Sequence, residues 1–147
     1  MYADLHLHTN FSDGTFSLTQ IVVLAKKAGI DCISITDHDS VDAYLSSQPE
    51  KDIEIIPGIE LTADINNTEV HILGYCINYR ETWFQEKLKD ICQSRIERMR
   101  LMCLKLTEMG ISLDYEEVLD FAGHSCVGRL HLARLLVKKG FISGVQE

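Results

Sequence analysis

Residues 4–9 read Asp4-Leu5-His6-Leu7-His8-Thr9, and the reading of this stretch decides the architecture. Along an extended strand successive side chains point to opposite faces, so residues two apart point the same way. Asp4, His6 and His8 then share one face, and Leu5 and Leu7 the other. Two imidazoles side by side at that spacing can hold one metal ion. The Leu5/Leu7 face argues for a strand covered on both sides. A covered histidine needs a partner, and a metal ion is a good one. Asp4 either accepts a ring N–H from a ligand histidine or bonds backbone.

The segments that follow alternate strand and helix. Residues 18–28 form a helix, with Ser17 as N-cap, Gln20 completing a capping box and Gly29 as the stop. Residues 32–36 are a buried strand, 40–47 a short helix, and 53–56 a strand ended by Pro57-Gly58. Residues 59–65 and 69–77 pair across a turn at Asn66-Asn67. Strand, helix, strand at this spacing predicts parallel βα units. From residue 82 the pattern becomes helical: a long helix over 82–109 stopped by Gly110, then helices over 115–121 and 129–139. Arg95, Arg98 and Arg100 read as the solvated face of the long helix. The division is therefore an α/β core over 1–80 and a helical region over 81–147.

Three further strand ends carry ionisable groups. Ser12-Asp13-Gly14 is a turn five residues past His8, which makes Asp13 a candidate ligand. Thr36-Asp37-His38-Asp39 leaves the second strand at its C-terminal end, where chemistry collects in βα architectures. Asp37 and His38 are the candidates for catalysis, with loop orientation the alternative for Asp37 and Asp39. Glu60 follows Pro57-Gly58, a turn that can aim it inward, and His71 lies inside an apolar strand. A cluster of mixed nitrogen and oxygen donors suits Mn, Fe or Zn better than Ca or Mg. Such clusters generate hydroxide from water near neutral pH and clamp the oxygens of a phosphoryl group.

Bulk properties agree. The chain has 147 residues, 46% hydrophobic and 24% charged, a globular composition of one-domain length. There is no membrane-spanning apolar run and no secretion signal, so the cytoplasm is the expected compartment. Five cysteines without a CxxC pair are expected to be reduced and mostly buried. A formal charge of −8 excludes a broad basic footprint for nucleic acid. It does not exclude a phosphorylated substrate, because bound metals reverse the local field.

Taken together, DLHLHT (4–9), SDG (12–14), TDHD (36–39), PGIE (57–60) and EVHILGY (69–75) resemble the PHP (polymerase and histidinol phosphatase) family. Within it the chain is most similar to small stand-alone enzymes that hydrolyse nucleoside 3′,5′-bisphosphates and short oligonucleotide 5′ ends. A family motif after the helical insertion is matched by residues 128–134, except that Leu130 stands where proline is usual. The resemblance implies a distorted seven-stranded βα barrel with up to three divalent metal ions at its C-terminal face. This chain would supply the N-terminal part of that barrel and the helical insertion. It implies that His6, His8 and Glu60 hold one ion, Glu60 and His71 a second, and Asp13 and His38 a third. Arg129 and His131 would contact the substrate phosphate. It further implies hydrolysis of a phosphate monoester on a nucleotide-like small molecule or short oligonucleotide, away from membranes. The family completes its site with a later histidine and an Asp-x-His. After His71 this chain has only His124 and His131. It is therefore expected to be a portion with an incomplete site, pairing into a homodimer through exposed barrel edges. The alternatives are an inactive metal-binding fragment and a non-catalytic interaction module.

Overall fold

The structure is a computed structural model describing residues 2–47, 53–66, 68–123 and 125–146. Asn67 of the expected turn and His124 lie outside the described residues. The chain divides into two compact units, Met1–Leu88 and Lys89–Glu147.

In the first unit, β1 (Ala3–Leu7), β2 (Cys32–Ile35) and β3 (Glu54–Ile55) form a parallel sheet in the order β1-β2-β3. The central strand β2 is buried along its whole length, as a parallel strand covered on both faces should be. Helix α1 (Leu18–Lys27) has the expected capping box, and Gly29 takes φ +72° just beyond its end. Its buried positions Leu18, Ile21, Val22 and Ala25 follow the i, i+3, i+4, i+7 stripe of an amphipathic helix. Each of its three larger aliphatic side chains contributes up to about 1.5–3 kcal/mol by leaving water. Short helix α2 (Asp42–Leu45) precedes β3. Strands β4 (Gly58–Ile65) and β5 (Thr68–Tyr75) form a separate antiparallel pair. Asn66 has φ +53° between Ile65 and Thr68, the left-handed conformation a tight hairpin turn requires.

Two features of the unit differ from the sequence reading. The strand β1 lies at the sheet edge, and Leu5 on it is exposed, so it is not covered on both sides. It also carries one extra residue against β2: Asp4 pairs with Ile33 but Leu7 with Ile35. This bulge interrupts strict alternation, and bulges of this kind re-aim side chains beside functional sites.

The second unit contains residues 89–108 of the long helix α3 (Thr82–Glu108), with α4 (Tyr115–Ala122) and α5 (Arg129–Lys138). Met99, Cys103, Leu113, Val118, Val127, Leu132, Leu135 and Leu136 form its core. Cys92 and Cys126 are joined by a disulfide with Cα atoms 5.5 Å apart, and Cys76 is exposed. The expectation of reduced, buried thiols therefore holds only for Cys32 and Cys103. Arg95 is also buried rather than on a solvated face. It lies three residues after Cys92, on the same side of α3. Its Nη1 donates to the Val127 carbonyl at 3.4 Å. Among the described residues no helix is long and apolar enough to cross a membrane.

Candidate metal centre

The centre is assembled where three strand ends of the first unit meet. Beyond β2 the backbone continues as a short parallel ladder to β4: Glu60 N–H donates to the Asp37 carbonyl at 3.2 Å, and Asp39 N–H to the Glu60 carbonyl at 2.9 Å. This bridge sets His38 beside Glu60. In the β4–β5 register Thr62 faces His71 and Glu60 faces Leu73, so Glu60 and His71 are diagonal neighbours on one face. The bulged end of β1 delivers His6 and His8 to the same carboxylate.

Glu60 is the hub. Its Oε2 lies 2.9 Å from His6 Nε2, 3.1 Å from His8 Nε2 and 3.8 Å from His38 Nδ1, and its Oε1 lies 2.6 Å from His71 Nδ1. Asp13 stands on the other side, its two oxygens 3.5 Å from His8 Nδ1 and 3.6 Å from His38 Nε2. The imidazoles form a row, with centroid spacings of 5.1, 4.7 and 4.9 Å from His6 through His8 and His38 to His71. Three overlapping donor groups result: His6, His8 and Glu60; His8, Asp13 and His38; and His38, Glu60 and His71. Within each group the donor atoms lie within 4.8 Å of one another.

The donor set fits divalent ions. Two donors about 2.1 Å from one ion stand roughly 3–4 Å apart, the range of most of these spacings. His38 Nδ1 is buried without a hydrogen-bond partner. An unpaired buried nitrogen is costly unless something such as a metal ion takes its lone pair. Burial lowers the His38 pKa against the pull of Asp13 and Glu60, which keeps that nitrogen available as a neutral ligand. Burial acts to raise the Glu60 pKa, but the imidazoles of His6, His38, His71 and His8 together outweigh it, so the carboxyl sits below its usual value.

Asp37 does a different job. Its buried carboxylate accepts from Thr9 N–H at 2.6 Å, the Thr9 hydroxyl at 2.5 Å and the Ser12 hydroxyl at 2.6 Å. Burial raises its pKa against these three bonds. Asp37 thereby ties the loop carrying Asp13 to the end of β2. That loop turns tightly: Ser12 and Gly14 N–H both donate to the Thr9 carbonyl. A Cβ at residue 14 would sit 2.2 Å from the His8 carbonyl oxygen, so only glycine fits. Asp39, at φ +51°, accepts from Thr62 N–H at 2.9 Å. Asp4 accepts weakly from His6 N–H at 3.3 Å, the backbone alternative of the sequence reading.

Arg129 and His131 belong to the second unit, in the first turn of α5. His131 is buried, accepting from Gly128 N–H at 3.1 Å and lying 3.3 Å from the Ser125 hydroxyl. Residues that sequence reading left without a role are Thr9, Ser12, Tyr44 and Glu69. The Tyr44 hydroxyl accepts from Ile35 and Gly58 N–H and donates to the Ile35 carbonyl, stitching β2 to β4. Only Glu69 carried a local signal, since it precedes His71 by two residues on a strand.

A compact set of histidines and carboxylates converging on one glutamate at the ends of strands defines a candidate multi-metal centre. The PHP domain profile matches residues 4–124, and the chain belongs to the PHP domain family. It is 32% identical to the 5′-3′ exoribonuclease Rnm of Salmonella typhimurium, over 93% of this chain and 48% of that protein. It is 27% identical to the 3′,5′-nucleoside bisphosphate phosphatase of Chromobacterium violaceum, over 97% of this chain and 52% of that one. A solved structure of an amidohydrolase from Chromobacterium violaceum, with bound sulfate and no metal, superposes with a TM-score of 0.86 at 27% identity. That match covers 99% of this chain and 53% of the other. The chain thus spans about half the length of the curated relatives it matches.

Proposed function

We propose that the protein to which these residues belong is a metal-dependent phosphoesterase that hydrolyses phosphate monoesters of nucleotide-like substrates. The observation that carries this is the trio of donor groups sharing His8, His38 and Glu60. Glu60, with Oε2 toward His6 and His8 and Oε1 toward His71, could bridge two neighbouring ions close enough to act on one phosphoryl group. Divalent ions such as Mn, Fe or Zn would there supply Lewis acidity and a lowered water pKa. The chain's own part would be to hold them: His6, His8 and Glu60 at one position, Glu60 and His71 at a second, Asp13 and His38 at a third. Asp37 keeps the Asp13 loop in register with His38. Arg129, with a planar fork of donors, and His131 are assigned to the substrate phosphate. Relatives named for a nucleoside bisphosphate and for RNA support a phosphorylated nucleotide or a short oligonucleotide as substrate. In this reading residues 1–80 are the metal-binding core and 81–147 a helical insertion. A homodimer is inferred from Leu5, Ile72 and Tyr75, all exposed on β1 and β5.

The test pairs elemental analysis of the purified chain with manganese-dependent phosphate release from adenosine 3′,5′-bisphosphate. Bound metal and turnover abolished by His8→Ala are the expected result. Metal without turnover would favour a ligand framework that needs residues beyond these 147. Failure to take up metal anywhere between about pH 6 and 8, where imidazole is a competent ligand, overturns the proposal.

A further inference from the structure

Helix α5 begins at a residue that cannot cap it. Gly128 stands at the N-cap with extended backbone, φ −138° and ψ 171°, and has no side chain to accept from the first-turn amides. Arg95 on α3 accounts for the glycine, since a Cβ at residue 128 would come within 3.3 Å of its Nη1. The segment leading into α5 is tied to α3 twice. Cys126 is bonded to Cys92, and the Val127 carbonyl accepts from Arg95.

His131, at the third position of the helix, closes the turn instead. Its Nδ1 accepts from Gly128 N–H at 3.1 Å, and its own N–H donates to the Gly128 carbonyl at 3.1 Å. One residue therefore satisfies both backbone polar groups of the N-cap. A backbone N–H can only donate, so Nδ1 carries the lone pair. The Ser125 hydroxyl gives its one hydrogen to the Ala122 carbonyl at 2.5 Å. Toward His131 Nε2, 3.3 Å away, the same oxygen can then only accept. Both contacts demand the same ring, neutral with its hydrogen on Nε2.

His131 is buried, whereas Arg129, at the start of the same turn, is exposed. We propose that His131 is a positioning residue for Arg129. It fixes the backbone from which Arg129 reaches the substrate phosphate, and its ring, engaged at both nitrogens inside the protein, does not itself hold the phosphate. The inference rests on the assignment of this turn to the substrate phosphate, and it gives the two residues different parts.

The experiment labels the full chain with nitrogen-15 and titrates inorganic phosphate in EDTA, so that the metal centre takes no part. At about pH 8 a free imidazole is neutral. In the wild type, His131 is expected as the Nε2–H tautomer throughout, while phosphate shifts the amides of residues 129 and 130. His131→Ala should speed amide exchange at Gly128 by about 2- to 30-fold, the size of a lost helix cap, and weaken phosphate binding by up to the same factor. His131→Gln supplies an accepting oxygen and a donating amide, as glutamine does in a capping box, and should recover most of both. Arg129→Ala should weaken phosphate binding about tenfold or more and leave Gly128 exchange as it is. A glutamine variant that protects Gly128 but binds phosphate as poorly as the alanine variant overturns the proposal, because the imidazole itself would then be the contact. An alanine variant with wild-type affinity overturns it too. Phosphate that changes the tautomer or charge of wild-type His131 does so whatever the variants show. Phosphate that shifts no signal of the turn overturns the phosphate assignment of the preceding section and the positioning role with it, with Gly128 exchange still reporting whether the cap exists.

Discussion

Asp37 and Thr9 are joined twice, through the Thr9 backbone N–H at 2.6 Å and its hydroxyl at 2.5 Å, and both residues are buried. With Ser12 as a third donor, one carboxylate replaces the backbone ladder where β1 ends. Asp37→Ala leaves three buried donors without an acceptor. It should cost about 2–4 kcal/mol of unfolding free energy by urea titration. Asp37→Asn keeps the oxygen that receives Thr9 N–H and Ser12, and should cost clearly less.

Glu60 contributes a pH dependence to the metal-free centre. Its folded pKa lies below the ordinary 4.5 once the surrounding imidazoles outweigh burial. A carboxyl whose pKa is depressed on folding contributes stability above its unfolded value, and that contribution is lost as pH falls through the folded value. In EDTA, the stability difference between wild type and Glu60→Gln should therefore be largest above about pH 4.5 and shrink toward pH 3. A difference independent of pH would show that the imidazoles do not favour the ionised carboxyl. With zinc present, the same variant should weaken two of the three donor groups and leave His8, Asp13 and His38 intact. The loss at each affected group should exceed the roughly 10- to 100-fold seen when only a ligand's supporting partner is removed.

Tyr44 joins β2 to β4 without a continuous ladder. Its hydroxyl accepts from Ile35 N–H at 2.9 Å and Gly58 N–H at 3.0 Å. Tyr44→Phe removes the single oxygen that accepts from both N–H groups at a buried position and should cost about 2–3 kcal/mol. Amide hydrogen exchange should speed up most at Ile35 and Gly58, because those two groups lose their partner. Equal protection in the variant would mean that the hydroxyl is not their acceptor.

The cysteines should separate into three reactivity classes. Native iodoacetamide labelling without reductant should add one group, at exposed Cys76. Cys32 and Cys103 are buried, and burial raises both thiols, so they should react only after unfolding. Cys92 and Cys126 should react only after reduction. Their cross-link spans a sequence separation of 34 residues. By loop-closure entropy, reduction should cost up to about 4 kcal/mol, read by urea unfolding with and without dithiothreitol.

Much of this was legible in the sequence, because much of it is local. The Ser17/Gln20 capping box, Gly29 beyond α1 and the apolar run of β2 follow from backbone preferences acting over a few residues. So do the candidate ligands, which cluster at strand ends and repeat at the period of two that puts His6 and His8 on one side. The sequence by itself therefore determined the order of the elements, the parallel βα start and the pool of residues able to bind metal.

Which of those residues meet was decided by the tertiary structure. Glu60 becomes the hub because the end of β2 and the β4–β5 register place His38 and His71 beside it across separations of 22 and 11 residues. The β1 bulge, the three donors on Asp37, the burial of Arg95 and the bond between Cys92 and Cys126 also depend on contacts distant in sequence. Local periodicity specifies the face a side chain takes on its own strand or helix. The partner on the opposing element depends on register, and register is settled only when the whole unit packs.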